Sequence, residues 1–114
     1  METFTLYHNP KCSTSRKALA ALESKGIHPE IVEYLKNPPS ESALDEILKL
    51  MKAEPDAILR KKEDIYPKFA AKTPTRAQWL KILHENPVLI ERPIVVRGKK
   101  AVLARPPEKI EEIF

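Results

Sequence analysis

Apolar positions recur at two spacings along the 114-residue chain, and each switch of spacing marks a new element. In residues 3–8, Phe4 and Leu6 stand two apart in a run rich in aromatic and β-branched types, which predicts a strand. From about residue 14 to 25 the period lengthens: Ala18, Leu19 and Leu22 share one helical face. Gly26 then offers a left-handed stop at no steric cost. Residues 30–35 read as a second strand, so the first third of the chain predicts a βαβ unit with its two strands parallel in one sheet.

Asn37-Pro38-Pro39 ends that unit. Ser40 is placed to cap a helix with Leu44, Ile47, Leu48 and Met51 on one side, and Pro55 suits the first turn of a short helix ending near Arg60. Thr75 and Gln78 have capping-box spacing before a helix that turns Trp79, Leu80 and Leu83 inward and closes at Asn86-Pro87. After Pro93, Ile94–Val96 and Ala101–Leu103 read as two strands of a hairpin joined across Gly98. A last helix carries Ile110, Ile113 and Phe114. The expectation is one α/β domain over 1–114, ordered β-α-β, helical insertion at about 40–86, then β-β-α.

Charge changes the picture little. Twenty basic against 16 acidic side chains give +4, and Arg60-Lys61-Lys62 and Arg97-Gly98-Lys99-Lys100 are basic clusters. Neither is interleaved with aromatic residues that could stack on bases, so both read as solvated faces or turns and no nucleic-acid partner is expected. No apolar run approaches the roughly 18 residues of a membrane span, and Met-Glu-Thr-Phe-Thr lacks the pattern of a secretory signal. A soluble cytoplasmic protein is expected. His8, His28 and His84 have no metal-ligand spacing, so no metal is expected either.

Candidate chemistry centres on HNPKCSTSR at 8–16, whose Cys12 is the only cysteine. It falls between the first strand and the first turn of the following helix, where unpaired amides and the macrodipole favour an anion. A thiolate is such an anion, and helix N-termini with nearby cations draw thiol pKa values down. A lone cysteine is often a small buried hydrophobe, but Lys11, Ser13, Thr14, Ser15 and Arg16 are poor company for a core residue. His8 ends the strand that delivers the thiol and could donate a hydrogen bond to it. Position 15 is Ser, which removes the resolving cysteine of a C-x-x-C exchange motif; position 18 is Ala, which removes the arginine of a C-x5-R phosphatase loop. A thiolate so placed needs an outside thiol for regeneration.

HNPKCSTSR, Ile58-Leu-Arg-Lys61, Glu91-Arg-Pro-Ile-Val-Val96 and Leu103-Ala-Arg-Pro-Pro107 together resemble the glutaredoxin-coupled arsenate reductase family, in order and over nearly the whole chain. The resemblance implies a thioredoxin-like fold with a mixed four-stranded sheet and a helical insertion, and a cis-proline at Pro93. It implies Cys12 as the nucleophile, His8 as the support of its ionisation, Ser15 as a stabiliser of the thiolate, and Arg60, Arg92 and Arg105 as the oxyanion ligands. Planar, always-charged guanidinium groups suit a tetrahedral oxyanion.

The activity so implied is reduction of arsenate to arsenite, with arsenate or a similar oxyanion as substrate, glutathione as co-substrate, glutaredoxin as partner and no tightly bound cofactor. Two other readings keep parts of the pattern. One is a glutathione-linked thiol oxidoreductase on the same fold. The other is an Spx-like regulator that binds RNA polymerase, although such proteins commonly carry the C-x-x-C switch that position 15 lacks here.

Overall fold

The computed structural model describes residues 3–114. β1 (Phe4–His8) and β2 (Glu30–Glu33) run parallel, with Leu6 opposite Ile31. β3 (Ile94–Arg97) lies antiparallel on the other side of β1, and β4 (Lys100–Leu103) returns antiparallel beside β3. The order β2-β1-β3-β4 makes the expected mixed, four-stranded sheet. Gly98, at φ 54°, takes the first position of the two-residue β3–β4 turn, where a positive φ matches the twist of the strands.

Alternation along the strands divides the core in two. Leu6, Val95 and Val102 point to one face, where they meet Ala18 and Leu22 of α1 (Ser13–Ser24) and Ile110 and Ile113 of a C-terminal 3-10 helix (Pro107–Ile113). Tyr7, Ile94, Val96 and Leu103 point to the other. There they pack against a cluster that includes Leu44, Ile47 and Leu48 of α2 (Glu41–Met51), Ile58 at the end of a 3-10 turn (Pro55–Ile58), and Leu80 and Leu83 farther on. A short α3 (Tyr66–Ala70) precedes α4 (Arg76–Glu85), and Tyr66 stacks on Trp79 with 6.0 Å between ring centroids.

Helix ends are closed by the residues the sequence offers. At the end of α1 the Gly26 N–H reaches Glu23 O at 2.9 Å and the Ile27 N–H reaches Leu22 O at 3.0 Å, while Gly26 sits at φ 76°. Ser40 Oγ accepts the Ala43 N–H at 3.0 Å. Thr75 and Gln78 form a complete capping box, with Thr75 N–H to Gln78 Oε1 at 2.9 Å and Gln78 N–H to Thr75 Oγ1 at 3.3 Å. Arg76 then ties α4 to α2 through Asp45 at 3.0 Å and continues to Glu54 at 2.6 Å.

Four local expectations change. The second strand stops at Glu33 rather than residue 35, because Glu33 O accepts the N–H groups of Lys36 and Asn37 and turns the chain. That turn sends Tyr34 into the core and leaves Leu35 exposed. Helix α3 has no counterpart in the hydrophobic pattern. Trp79 is only half-buried, since α3 rather than the sheet receives it. The last helix is 3-10, and its Ile110 and Ile113 remain on one face because residues three apart eclipse in that geometry.

Candidate active site

The chain reaches Cys12 through a loop held by its own residues. Asn9 O accepts the Cys12 N–H at 3.0 Å, and Asn9 Oδ1 accepts the Lys11 N–H at 3.0 Å, so Pro10 and Lys11 are the corners of a tight turn. Cys12 keeps extended backbone (φ −95°, ψ 122°) at the N-cap of α1, and Cys12 O accepts the Arg16 N–H at 3.0 Å. The sulfur is therefore carried to the amide end of a 12-residue helix, neither sealed in the core nor fully exposed.

Several influences act on that thiol, and they do not agree in sign. Partial burial opposes ionisation, but the Ser15 backbone N–H, a hydrogen bond and the positive charge from Arg92, and the Thr14 N–H outweigh it. The net result lowers the Cys12 pKa from its ordinary value. Arg92 also has its Nε buried without a hydrogen-bond partner among the described residues.

His8 is not placed as expected. Its Nδ1 lies 2.6 Å from Ser15 Oγ, and no hydrogen bond from His8 to the sulfur is present among the described residues. Ser15 Oγ already accepts the Asn9 N–H at 3.0 Å, which leaves its own proton to donate to Nδ1. Burial lowers the His8 pKa, Glu33 opposing and Arg16 assisting, so a neutral imidazole accepting that proton fits its surroundings. His8 thus touches the helix start through a serine whose own amide serves the thiol. Ser15 bears on the sulfur by its main chain, while its fully buried hydroxyl is engaged elsewhere.

The other two arginines stand on an adjoining hollow. Leu59 and Ile90 form an isolated antiparallel bridge, flanked by Arg60 N–H to Leu89 O at 2.7 Å and Glu91 N–H to Ile58 O at 2.8 Å. This pairing sets Arg60 beside the segment that leads into β3. Arg105 follows β4, where the Ala104 N–H still reaches Pro93 O at 2.9 Å. Arg60 and Arg105 then share a pocket with Leu59, Lys61, Lys62 and Glu91, about 260 Å³ in volume. Against about 30 Å³ for a water, that is room for a tetrahedral oxyanion. Arg105 Nη1 donates to Arg92 O at 3.3 Å, so this pocket and the thiol side meet along Glu91-Arg92. Arg92–Pro93 and Arg105–Pro106 are both cis, the first as the resemblance implies and the second not anticipated.

Three residues near the site escaped the sequence reading. Asn9 shapes the loop. Tyr34, almost fully buried, has its pKa raised, chiefly by burial; it also feels Arg92, Asn9, Cys12 and Glu91, which places its hydroxyl among them. Glu91 sits within the arginine pocket, 3.6 Å from Arg105 Nε. For Asn9 the only available signal was its Asx-turn character before Pro10; Tyr34 and Glu91 gave none, since a turn and a bridge put them there. A larger hollow of about 320 Å³, lined by Phe69, Lys72, Gln78, Ile82 and others, contains neither thiol nor arginine and is no competitor for the chemistry.

An α/β sheet whose first strand delivers a cysteine to a helix N-terminus, beside a cis-proline that leads into an antiparallel hairpin, defines a thiol-dependent protein of the thioredoxin-like class. Residues 7–113 match the ArsC family model, and the chain belongs to that family. It is 40% identical to an arsenate reductase of Neisseria meningitidis serogroup A over the whole of both chains. It is also 40% identical to an arsenate reductase of Haemophilus influenzae, covering 96% of this chain and 97% of the relative. Among solved structures, the arsenate reductase from Vibrio cholerae superimposes with a TM-score of 0.93 at 38% identity, covering 99% of this chain and 98% of the other. Among the described residues no helix is long and apolar enough to cross a membrane.

Proposed function

We propose that this protein reduces arsenate to arsenite, with Cys12 as the nucleophile and Arg60, Arg92 and Arg105 as the oxyanion ligands. The observation that carries the reading is the sulfur at the helix start with the Arg92 side chain bonded to it, next to a pocket lined by Arg60 and Arg105. Curated relatives of full length and equal fold that are named arsenate reductases support it.

The Cys12 thiolate attacks arsenic(V), forming an S–As bond while one oxygen leaves as water after taking up protons. The guanidinium groups hold the remaining oxygens and offset the charge that develops on them. Arg92 does double duty, because it holds the attacking sulfur ionised and faces the group under attack. A glutathione thiolate then attacks the cysteine sulfur of the adduct. The S–As electron pair stays with arsenic, which departs as arsenite at the As(III) level, and the two sulfurs are left joined as a mixed disulfide. Glutaredoxin removes the glutathione by thiol exchange and restores Cys12. His8 and Ser15 act at one remove, fixing the first turn of α1 whose amides face the sulfur. The cycle needs no bound cofactor and runs in a reducing compartment, the cytoplasm.

The test is arsenite production by the pure protein supplied with arsenate, glutathione and glutaredoxin. Wild type is expected to turn over and Cys12→Ser to lose all activity above background. Equal arsenite from both would sink the assignment.

A further inference from the structure

Glu91 is a carboxyl group in a pocket otherwise furnished for anions, a placement that a site built for negative charge alone would avoid. Its side chain is about three-quarters buried, its Oε2 lies 3.6 Å from Arg105 Nε, and it lines the same hollow as Arg60, Arg105, Lys61 and Lys62. The Arg60 guanidinium is partly occupied by Glu63 at 2.9 Å, so among the described residues Glu91 has no ion-pair partner besides Arg105. Arg92 follows it in the chain, and the Tyr34 hydroxyl senses its charge. An oxyanion entering between these arginines must therefore approach a carboxylate.

Two negatively charged oxygens tolerate that approach only when a proton lies between them. Arsenate and phosphate keep a hydroxyl at neutral pH and can donate it to a carboxylate; sulfate has none. We infer that Glu91 is a specificity-determining residue that accepts a hydrogen bond from the hydroxyl of a bound oxyanion, admitting protonated tetrahedral oxyanions and rejecting sulfate. The rejection is a repulsive device added to an attractive pocket, since the three arginines by themselves would hold sulfate as readily as arsenate. Burial raises the Glu91 pKa, with Arg105 and Lys62 opposing, which brings its proton affinity nearer to that of the oxyanion and suits a shared proton.

This inference rests on the oxyanion-site reading above, and it is tested without turnover. Cys12 is alkylated with iodoacetamide at pH 7.5 while inorganic phosphate or sulfate is titrated in, and each anion's protection constant is read from the fall in rate. In wild type, phosphate protects and sulfate is weaker by about tenfold or more, since a site that binds a hydroxyl by a hydrogen bond discriminates strongly against the analogue lacking it. In Glu91→Gln sulfate protection strengthens by about tenfold and phosphate by no more than about threefold, collapsing the ratio. Glu91→Ala, which removes the side chain altogether, is a second route to the same relaxed ratio should the amide find a new partner. A phosphate-to-sulfate ratio unchanged from wild type in both variants overturns the role of Glu91 while leaving the oxyanion site standing. If neither phosphate nor sulfate protects any of the three proteins, both are overturned.

Discussion

The two sides of the site are built in different ways. The thiol side is local: His8, Asn9, Cys12 and Ser15 run from the end of β1 through one loop into the first turn of α1, and hydrogen bonds no longer than 3.0 Å fix their mutual positions. The arginine side is assembled from three distant stretches, brought together by the Leu59–Ile90 bridge and by the pairing of Ala104 with Pro93. A short peptide motif can thus set the reactivity of a sulfur, but the selection of what it meets depends on the tertiary structure. Arg92 joins the two, with its side chain on the sulfur and its carbonyl oxygen held by Arg105.

That division is broken most sharply at Arg92. Replacing it with Ala removes a hydrogen bond and a charge that lower the thiol pKa, so the midpoint of Cys12 alkylation against pH should rise toward that of an ordinary thiol. Arsenate turnover should fall by about 10²–10³-fold, the usual loss when a group stabilising transition-state charge is deleted. Arg60→Ala provides the contrast: turnover weakens, but the alkylation midpoint stays where wild type has it. A shift of similar size in both variants would mean that the sulfur responds to the whole arginine set, and the two sides would be one.

On the thiol side the weaker lever is Ser15. Ser15→Ala strips the buried hydroxyl that links His8 Nδ1 to the Asn9 N–H, leaving two polar groups short of a partner at an expected cost of about 1–3 kcal/mol, read by urea denaturation. The Ser15 amide is unchanged, so the alkylation midpoint should move less than in Arg92→Ala. The same cluster gives wild-type stability an acid limb. The folded pKa of His8 is depressed, so as pH falls below the ordinary imidazole value of about 6.5 the unfolded chain takes up its proton first. The His8 share of stability is full above that value and is lost as pH falls through the folded pKa. His8→Gln should flatten this part of the curve.

Legibility in the sequence follows the same division. Cys12 could be placed at a helix start from strand and helix periodicity alone, and the local context argued for an anionic sulfur without knowledge of any relative. Arg60, Arg92 and Arg105 could not: Arg60 opens a basic cluster that reads as a solvated face, Arg92 and Arg105 are single arginines before proline, and only the resemblance of four separated motifs made them a set. Glu91 and Tyr34 lay beyond both routes. Glu91 owes its position to a single bridge outside the named strands, and Tyr34 to a turn that ends β2 two residues early. The hydrophobic pattern recovered the sheet and three of the four α-helices; α3 has five residues and none of them buried, so it leaves no periodic trace.

The helical insertion offers the mildest perturbation and tests whether the sulfur is insulated from the rest of the fold. Thr75 caps α4 through a box whose two bonds lie on the surface, and the helix it starts supplies Leu80 and Leu83 to the core on the far side of the sheet from α1. Thr75→Ala removes one of those bonds and should cost about 1 kcal/mol, a fall of roughly 4 °C in Tm for a chain of this size. Alkylation of Cys12 at neutral pH should be unchanged, because α1 packs in the other core cluster and the backbone of the loop at residues 9–12 is held by its own residues and by α1. A change in sulfur reactivity from so remote a cap would show that the helix start is held by the global fold rather than by its own nine residues.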